Sequence, residues 1–317
     1  MLWPFPFVNG RYGFFPMKIY GMTSSTPLLL SALVRTMRPK QWTKNFVLFA
    51  GLIFAQKLFE LSAVLQTIAA FLLFCLLSSA IYIINDITDV ERDRRHPLKS
   101  KRPIASGELS VSAATIAAVL LLGLSLLGAF SLDVGFGCVA LIYCLLLSAY
   151  SFWLKHIVIL DVLVLALGFV LRAIAGAEVI DVEFSSWLLL CTILLALFLG
   201  LSKRRHELVL LGDNACSHRK ILEEYSPHLL DQMIGVVTAS TLMAYALYTM
   251  AAETIEKFGT SYMIFTIPFV IYGIFRYLYL VHQKDQGGNP TTLLVSDKPI
   301  MINVVLWGIV SVLLIYA

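Results

Sequence analysis

The sequence predicts an all-α, polytopic membrane protein, and three observations support that fold class. Of the 317 residues, 59% are hydrophobic and 14% are charged, whereas a soluble domain has about 25% charged residues. The apolar residues gather into nine segments, each of which approaches the roughly 20 residues that cross a bilayer as a helix. Lysine and arginine are concentrated in alternate connections between these segments.

The predicted spans leave an N-terminal segment outside the membrane. Residues 1–32 hold no charged start ahead of an unbroken apolar run, so they do not resemble a signal peptide. We expect them to form a poorly ordered or interfacial extension, followed by one transmembrane domain over residues 33–317. The nine predicted spans are 45–60, 63–85, 111–130, 134–153, 157–177, 186–201, 229–251, 260–281 and 299–316.

The basic connections predict the orientation of the chain, because cytoplasmic loops of membrane proteins carry an excess of lysine and arginine. The connection 86–110 holds six of these residues and the connection 202–228 holds five, whereas the intervening connections hold only Lys57 and Lys257. With nine spans, this bias predicts a multi-pass protein of the plasma membrane with a cytoplasmic N-terminus and an external C-terminus. The formal net charge of +4 then reflects topology, so nucleic acid is not expected as a partner.

Three aspartates follow the second predicted span. On a continued helix, Asp86, Asp89 and Asp93 fall within roughly a 60° arc. Carboxylates on one stripe repel one another, and the dipole at a helix C-terminus adds to the repulsion. A divalent cation relieves both effects, and oxygen ligands that bridge to substrate phosphates suit Mg²⁺. The alternative is a solvated acidic helix end at the membrane surface, balanced by neighbouring arginines.

Basic residues in three segments around this stretch suggest sites for phosphate groups. Ahead of the first span, Lys40 and Lys44 are four residues apart and share one face of a helix. A proline-interrupted loop after the aspartates carries Arg102, and Lys203 follows the sixth span, one turn before Glu207. Basic residues beside a metal suit a phosphate-bearing substrate. The alternatives are membrane anchoring, attraction to lipid head groups and an ordinary helix pair.

One charged residue lies at mid-depth of the fifth predicted span. Placing Arg172 there costs at least about 2.5 kcal/mol, so it is expected to face a cavity or a partner. Asp161 lies on roughly the same helical face, but about 16 Å away along the axis, so the two side chains cannot pair directly. We therefore expect Arg172 on the inner wall of a cavity, where it meets an anion or a polar partner.

This pattern resembles the UbiA superfamily of intramembrane prenyltransferases. The resemblance rests on the spacing N-D-x-x-D-x-x-x-D of Asn85–Asp93 after the second of nine spans. It implies helices around a central cavity with a cytoplasmic cap, in which two Asp-rich motifs bind Mg²⁺ and a prenyl diphosphate. In this chain, Lys203–Glu207 stands where the second Asp-rich motif is expected.

Four further segments are closer to one branch of that superfamily, the decaprenyl-phosphate phosphoribosyltransferases. They are Arg38–Asn45, Tyr150–His156, Leu171–Gly176 and Leu199–Arg204. The branch implies Mg²⁺-dependent transfer of a 5-phosphoribosyl group from phosphoribosyl pyrophosphate to a polyprenyl (decaprenyl) phosphate, with release of pyrophosphate.

The pattern and the resemblance together give a set of candidate site residues. The catalytic residues are expected to be Asn85, Asp86, Asp89 and Asp93, with the three aspartates as Mg²⁺ ligands. The expected phosphate-binding residues are Lys40, Lys44, Asn45, Arg102, Arg172, Lys203 and Arg204. Supporting roles are expected for Glu207, Lys155 and Asp161. The expected partners are the membrane, the polyprenyl phosphate and phosphoribosyl pyrophosphate, and a homo-oligomer stays open.

Two other functions stay open at this point. The first is prenyl transfer from a prenyl diphosphate to an aromatic or other acceptor, and the missing second Asp-rich motif speaks against it. The second is a lipid or ion transporter, which is expected to have Gly- or Pro-broken spans in matched positions of two halves. The predicted spans are largely unbroken, with Pro268 as the main exception, and their charges gather at one face.

Overall fold

The computed structural model describes residues 26–97, 99–211, 220–284, 293 and 296–316, and all regular secondary structure within them is helical. The predicted all-α fold is therefore confirmed for this part of the chain. The helices are α1 Thr26–Met37, α2 Phe49–Phe54, α3 Leu61–Thr88, α4 Val90–Arg94, α5 Pro103–Ser106, α6 Val111–Leu132, α7 Val134–Phe152, α8 Leu160–Glu178, α9 Ser186–Leu211, α10 Pro227–Met250, α11 Ala252–Phe258, α12 Ile267–Gln283 and α13 Lys298–Tyr316.

Eight of the predicted spans correspond to helices that are long and apolar enough to cross a membrane. Three of them begin at a polar cap that accepts the backbone N–H three residues on, which satisfies a donor left free at a helix start. Ser110 caps α6, Asp133 caps α7 and Ser226 caps α10. The eight helices are α3, α6, α7, α8, α9, α10, α12 with the 3₁₀ turn before it, and α13.

The first predicted span, 45–60, is not a membrane-spanning α-helix, so the prediction of nine such helices is wrong. The chain instead forms a 3₁₀ helix, Pro39–Leu48, followed by the short helix α2. A 3₁₀ helix rises about 2.0 Å per residue, so the two elements together extend over roughly 30 Å. Arg38 contacts the C-terminal end of α3 and Lys57 the C-terminal end of α8, so this segment still joins opposite ends of the bundle.

Glycine contacts hold this segment against α8. A Cβ on Gly176 would lie 2.0 Å from the carbonyl oxygen of Leu48, and a Cβ on Gly51 would lie 3.0 Å from the Gly176 oxygen. Only glycine permits such close backbone approach. The 3₁₀ segment therefore lies beside the most buried span, and its side chains are brought into the centre of the bundle.

The centre of the bundle is formed by α3, α7 and α8. Phe74 of α3 and Phe136 and Tyr143 of α7 are almost fully buried there, together with Leu48 of the 3₁₀ segment. At the end where α3 stops and α8 starts, short elements build a cap. The cap contains α4, α5 and the 3₁₀ turns Leu154–His156 and Lys220–Glu224.

The helix α1 lies partly within the predicted N-terminal extension. Residues 1–25 are outside the described residues, and the chain is helical from Thr26. Ala32 of α1 is buried against Ile83 of α3 and Leu109 of the cap. Residues 29–37 therefore pack on the bundle and bring Arg38 to the end of α3.

Candidate active site

The acidic motif sits where α3 ends and α4 begins. Asp89 is the C-cap of α3, with φ −99° and ψ 4°, and α4 starts at the next residue. This break means that the three aspartates do not continue one straight helical stripe. Asp86 and Asp93 are both 3% exposed, and both carboxylates contact the same basic residue.

That shared partner is Arg102 from the cap. Its Nη1 lies 2.9 Å from Asp86 Oδ1 and 2.6 Å from Asp93 Oδ2. Arg38 adds a second guanidinium, 2.5 Å from the same Asp86 oxygen. The negative charge that the sequence concentrates here is therefore compensated by two arginines from separate segments.

The third aspartate faces the turn between α7 and α8. Lys155 Nζ donates to Asp89 Oδ1 at 2.8 Å, and the lysine side chain is only 8% exposed. Arg92 approaches the same oxygen at 3.7 Å. The 3₁₀ turn Leu154–His156 carries Lys155, so the position of that turn decides where the ammonium group lies.

A cavity of about 350 Å³ opens beside these residues. The carboxylates in its lining belong to Asp89, Asp93 and Glu207, and the amide of Asn85 lies with them. The eight lysine and arginine residues that line it are Arg38, Lys44, Arg92, Lys99, Arg102, Lys155, Arg172 and Lys203. This excess of cations over carboxylates suits a ligand with several negative charges. Asp89, Asp93, Lys203 and Glu207 thus line one cavity, whereas Asp86 and Arg204, expected at the same site, are not among its described lining residues.

The 3₁₀ segment presents one row of side chains to the cavity. Arg38, Gln41 and Lys44 all line it, as expected for positions three residues apart in a helix with three residues per turn. Lys40 is exposed and is not among the described lining residues. The expectation that Lys40 and Lys44 share a face is wrong. In a 3₁₀ helix, four residues make one full turn and about 120° more, so the two side chains point in different directions.

Arg172 lies on the inner wall of the cavity, as expected, and its hydrogen bonds go to protein groups. Nε donates to Asn45 Oδ1 at 2.8 Å, Nη1 to the Gly168 carbonyl at 2.9 Å and Nη2 to the Tyr143 hydroxyl at 2.6 Å. The guanidinium also lies over the rings of Tyr143 and Phe169. Arg172 is therefore a fixed positive charge at membrane depth.

Asn45 was expected to bind phosphate, but in the structure its side chain binds Arg172. Its side chain is fully buried and is not among the described residues that line the cavity. The amide accepts from Arg172 and donates towards Ser78 Oγ at 3.3 Å. Asn45 thus orients the arginine and links the 3₁₀ segment to α3.

Arg204 and Asp161 form a buried pair behind the cavity. Arg204 Nε lies 2.8 Å from Asp161 Oδ2, and its Nη1 bonds to Glu207. Arg204 is not among the described lining residues, so its predicted direct contact with phosphate is not what the structure presents. Tyr225 donates to Asp161 at 2.8 Å, and burial raises the pKa of this phenol to about 12. The phenol therefore keeps its proton at neutral pH.

The acidic residues fit a hard divalent cation by their chemistry. Amide and carboxylate oxygens are the ligands that Mg²⁺ takes in proteins, usually with several waters and a substrate phosphate. Among the residues that the structure describes, no three His, Cys, Asp or Glu side chains are gathered as a ready-made metal cage. Arg102 and Lys155 occupy the positions between the carboxylates instead. The donor set thus fits a metal that arrives together with an anionic substrate.

Three residues of this end of the bundle escaped the sequence analysis. Arg38 preceded a proline and read as part of a basic anchor, although it holds Asp86. Tyr143 lies within a span, where a hydroxyl group at membrane depth signals a polar partner. Nothing in the sequence around Tyr225 indicated its contact with Asp161.

Comparisons of three kinds with known proteins give matches. The model of the UbiA prenyltransferase family matches residues 45–296. Decaprenyl-phosphate phosphoribosyltransferase of Corynebacterium glutamicum is 35% identical over 293 residues, which covers 91% of this chain and 88% of the relative. The protein of that name from Mycolicibacterium smegmatis is 33% identical over 292 residues, covering 88% and 91%. A UbiA homologue from Archaeoglobus fulgidus, solved with GPP and Mg²⁺, has the same fold, with a TM-score of 0.68 at 21% identity, covering 90% of this chain and 100% of that one.

Proposed function

The chain belongs to the UbiA prenyltransferase family, and we propose that within it the protein transfers the 5-phosphoribosyl group of phosphoribosyl pyrophosphate to a polyprenyl phosphate. Relatives that cover about nine tenths of the chain carry the name decaprenyl-phosphate phosphoribosyltransferase. The observation that carries the proposal is the cavity itself. Asp89, Asp93 and Lys203 all line it, so it has a cation from the segment where a second Asp-rich motif is expected for a prenyl diphosphate.

The donor carries phosphate groups at both ends of a ribose, so it needs positive charge in two places. Arg102 and Lys155 lie beside the aspartates, and Lys203 lines the same cavity from a separate helix, α9. Asp89 and Asp93, with Asn85 beside them, would hold Mg²⁺ with the pyrophosphate. Bound there, Mg²⁺ supplies neutralisation of the charge that builds on the leaving group. Asp86, expected as a third ligand, pairs with Arg38 and Arg102 and is not among the described lining residues.

The acceptor requires no general base. A phosphate monoester has a second pKa near 6, so its oxygen is already an anion at neutral pH. Its attack on the anomeric carbon forms a C–O bond while the bond to pyrophosphate breaks, and no proton has to move. Arg172 and Lys44 both line the cavity, and they are suited to hold the lipid phosphate in line with the donor.

The membrane setting follows from the spans, and its finer details belong to the proposal. The chain is an integral membrane protein with eight apolar helices among its described residues. We place the cap in the cytoplasm, because the connections 86–110 and 202–228 carry most of the loop lysines and arginines. The 3₁₀ segment with α2 also joins opposite ends of the bundle, so with the eight described helices it makes nine crossings. The N-terminus is then cytoplasmic and the C-terminus external. The polyprenyl chain stays in the bilayer while its phosphate reaches the cavity from the side.

The proposal is tested with purified protein in lipid nanodiscs, Mg²⁺, phosphoribosyl pyrophosphate labelled in the ribose, and a polyprenyl phosphate. Extraction into an organic phase separates the lipid product from the donor. Label in the lipid phase supports phosphoribosyl transfer. If a prenyl diphosphate with an aromatic acceptor gives product and the ribosyl donor does not, the protein is a prenyl transferase and the proposal fails.

A further inference from the structure

The residue before α8 has a backbone conformation that β-branched residues rarely adopt. Ile159 has φ 70° and ψ −46°, and the N–H of Leu160 donates to the carbonyl of Val158 at 2.8 Å. These values describe a γ-turn with positive φ at its centre, a rare and strained form. Such strain persists only where neighbouring groups hold it, and it concentrates at functional sites.

The group that holds this turn comes from the second large connection. The N–H of Ile159 donates to the Tyr225 hydroxyl at 2.7 Å. That hydroxyl in turn donates to Asp161 Oδ1 at 2.8 Å, and Arg204 lies 2.8 Å from the other oxygen of Asp161. Tyr225 is buried and Asp161 fully so. One phenol therefore fixes both the turn and the first turn of α8.

The lysine that faces the acidic motif lies shortly before this γ-turn in the chain. Lys155 lies four residues before Ile159, in the 3₁₀ turn Leu154–His156. Its ammonium group donates to Asp89 at 2.8 Å. Residues 157–159 join this 3₁₀ turn to α8 along the chain, and the turn also packs against α8 and the segment Lys220–Glu224. We therefore expect a change in the backbone at Ile159 to shift Lys155.

We propose that Tyr225 is a positioning residue of the active site, whose hydroxyl holds the strained turn at Ile159 and thereby keeps Lys155 on Asp89. This inference rests on the proposed function, because that function gives Lys155 and Asp89 their roles beside the leaving pyrophosphate. It assigns a role in the active site to the connection after α9. That connection fixes the distance between an ammonium group and a metal-binding carboxylate on another segment.

The first test is Tyr225→Phe, which removes the hydroxyl and keeps the ring. The N–H of Ile159 loses its acceptor, so we expect hydrogen exchange to become at least about tenfold faster in peptides covering residues 153–161 and to stay unchanged elsewhere. Misplacement of a catalytic group by about 1 Å costs up to ~100-fold in rate. We expect kcat for phosphoribosyl transfer to fall by about 10- to 100-fold, with a much smaller change in the donor KM.

The matched control is Tyr277→Phe. Tyr277 is also buried, and its hydroxyl has no hydrogen-bond partner among the residues that the structure describes. Removal of that hydroxyl should leave both the exchange of residues 153–161 and kcat unchanged. A loss of kcat in Tyr277→Phe equal to that in Tyr225→Phe would show a general effect on packing, and it would overturn the assignment.

Rescue separates positioning from a structural role. Glycine adopts positive φ without steric cost, and the Ile159 side chain is 52% exposed, so Ile159→Gly removes the strain with little loss of packing. We expect Tyr225→Phe/Ile159→Gly to regain most of the lost kcat. We also expect Tyr225→Phe to cause no further loss in a Lys155→Met background, because both changes act on the same contact.

Two results would overturn the inference. One is unchanged exchange at residues 153–161 in Tyr225→Phe. The other is an undiminished effect of Tyr225→Phe when Lys155→Met or Ile159→Gly is present. If the unchanged protein transfers no phosphoribosyl group, the proposed function fails. The exchange measurement then decides by itself whether Tyr225 holds the turn.

Discussion

Arg172 Nε on α8 donates to Asn45 Oδ1 on the 3₁₀ segment across 2.8 Å. This bond joins the two elements that meet through Gly176 and Leu48. It gives a buried guanidinium a fixed orientation, and Tyr143 completes the arrangement from α7. The positive charge at membrane depth is therefore preorganised, which is the condition under which charge contributes most to catalysis.

Replacement of Arg172 by leucine should greatly lower the transfer activity and only modestly lower the stability of the fold. We expect kcat/KM to fall at least ~100-fold, as for loss of a preorganised charge. Asn45 and Tyr143 each lose a hydrogen-bond donor, which lowers the free energy of unfolding by about 1–3 kcal/mol. Transfer assays and thermal melts of the purified protein measure the two effects. Tyr143→Phe removes a single acceptor and should have a smaller effect, while full activity in Arg172→Leu would show that the arginine is structural.

Two lysines of the 3₁₀ segment should behave differently. Lys44 lines the cavity and Lys40 is exposed outside it. Lys44→Ala should raise the KM for the polyprenyl phosphate by about tenfold, because one charge-assisted contact with its phosphate is lost. Lys40→Ala should leave both KM values within about twofold of the unchanged protein. Equal effects of the two variants in substrate titrations would mean that the 3₁₀ register does not describe the active protein.

The metal proposal predicts that the aspartates of the cavity carry the dependence on Mg²⁺. Asp89→Asn and Asp93→Asn should each abolish most activity and raise the Mg²⁺ concentration needed for half-maximal rate, since each loses a ligand. Asp231→Asn is the control, because Asp231 pairs with Arg205, away from the lining residues. Chelation with EDTA should stop the unchanged enzyme. Retained Mg²⁺ response in both variants would exclude these aspartates as ligands.

A separate prediction concerns stability near the C-terminus. Asp297 accepts from Arg276 and caps α13 by accepting the N–H of Ile300 at 3.0 Å. The hydrogen bond from Arg276 holds the pKa of Asp297 below its ordinary value. A lowered pKa stabilises the fold above the ordinary value of about 4, and this contribution is lost as the pH falls through the pKa of the folded state. Asp297→Asn should therefore lower the melting temperature at neutral pH, and the difference should narrow in acid.

The sequence predicted eight of the spans and the acidic motif because both signals are local. Apolar length alone identifies a span, and Asp86, Asp89 and Asp93 are set by spacing within a few residues. The first span was predicted from the same apolar content, but its 3₁₀ form depends on α8. The backbone of Leu48 packs closely against Gly176, which has no side chain in the way. No sequence pattern near residue 48 indicates a glycine that lies 128 positions away.

The assignment of cations within the site was harder for the same reason. Arg204 and Lys203 are neighbours in a basic cluster, and the local sequence does not tell which one turns towards the cavity. The structure answers through Asp161, which lies at the start of α8 and pairs with Arg204. Lys203 is thereby left on the side that lines the cavity. Long-range ion pairs of this kind decide which members of a charged segment meet the substrate.

The most direct test of the central claim uses donor labelled at two positions. One preparation of phosphoribosyl pyrophosphate carries label in the 5-phosphate and another carries it in the pyrophosphate. After reaction with a polyprenyl phosphate, we predict that the 5-phosphate label enters the lipid phase. The pyrophosphate label should appear in water, one equivalent for each lipid product. Pyrophosphate label in the lipid, or no label in the lipid from either donor, would contradict phosphoribosyl transfer.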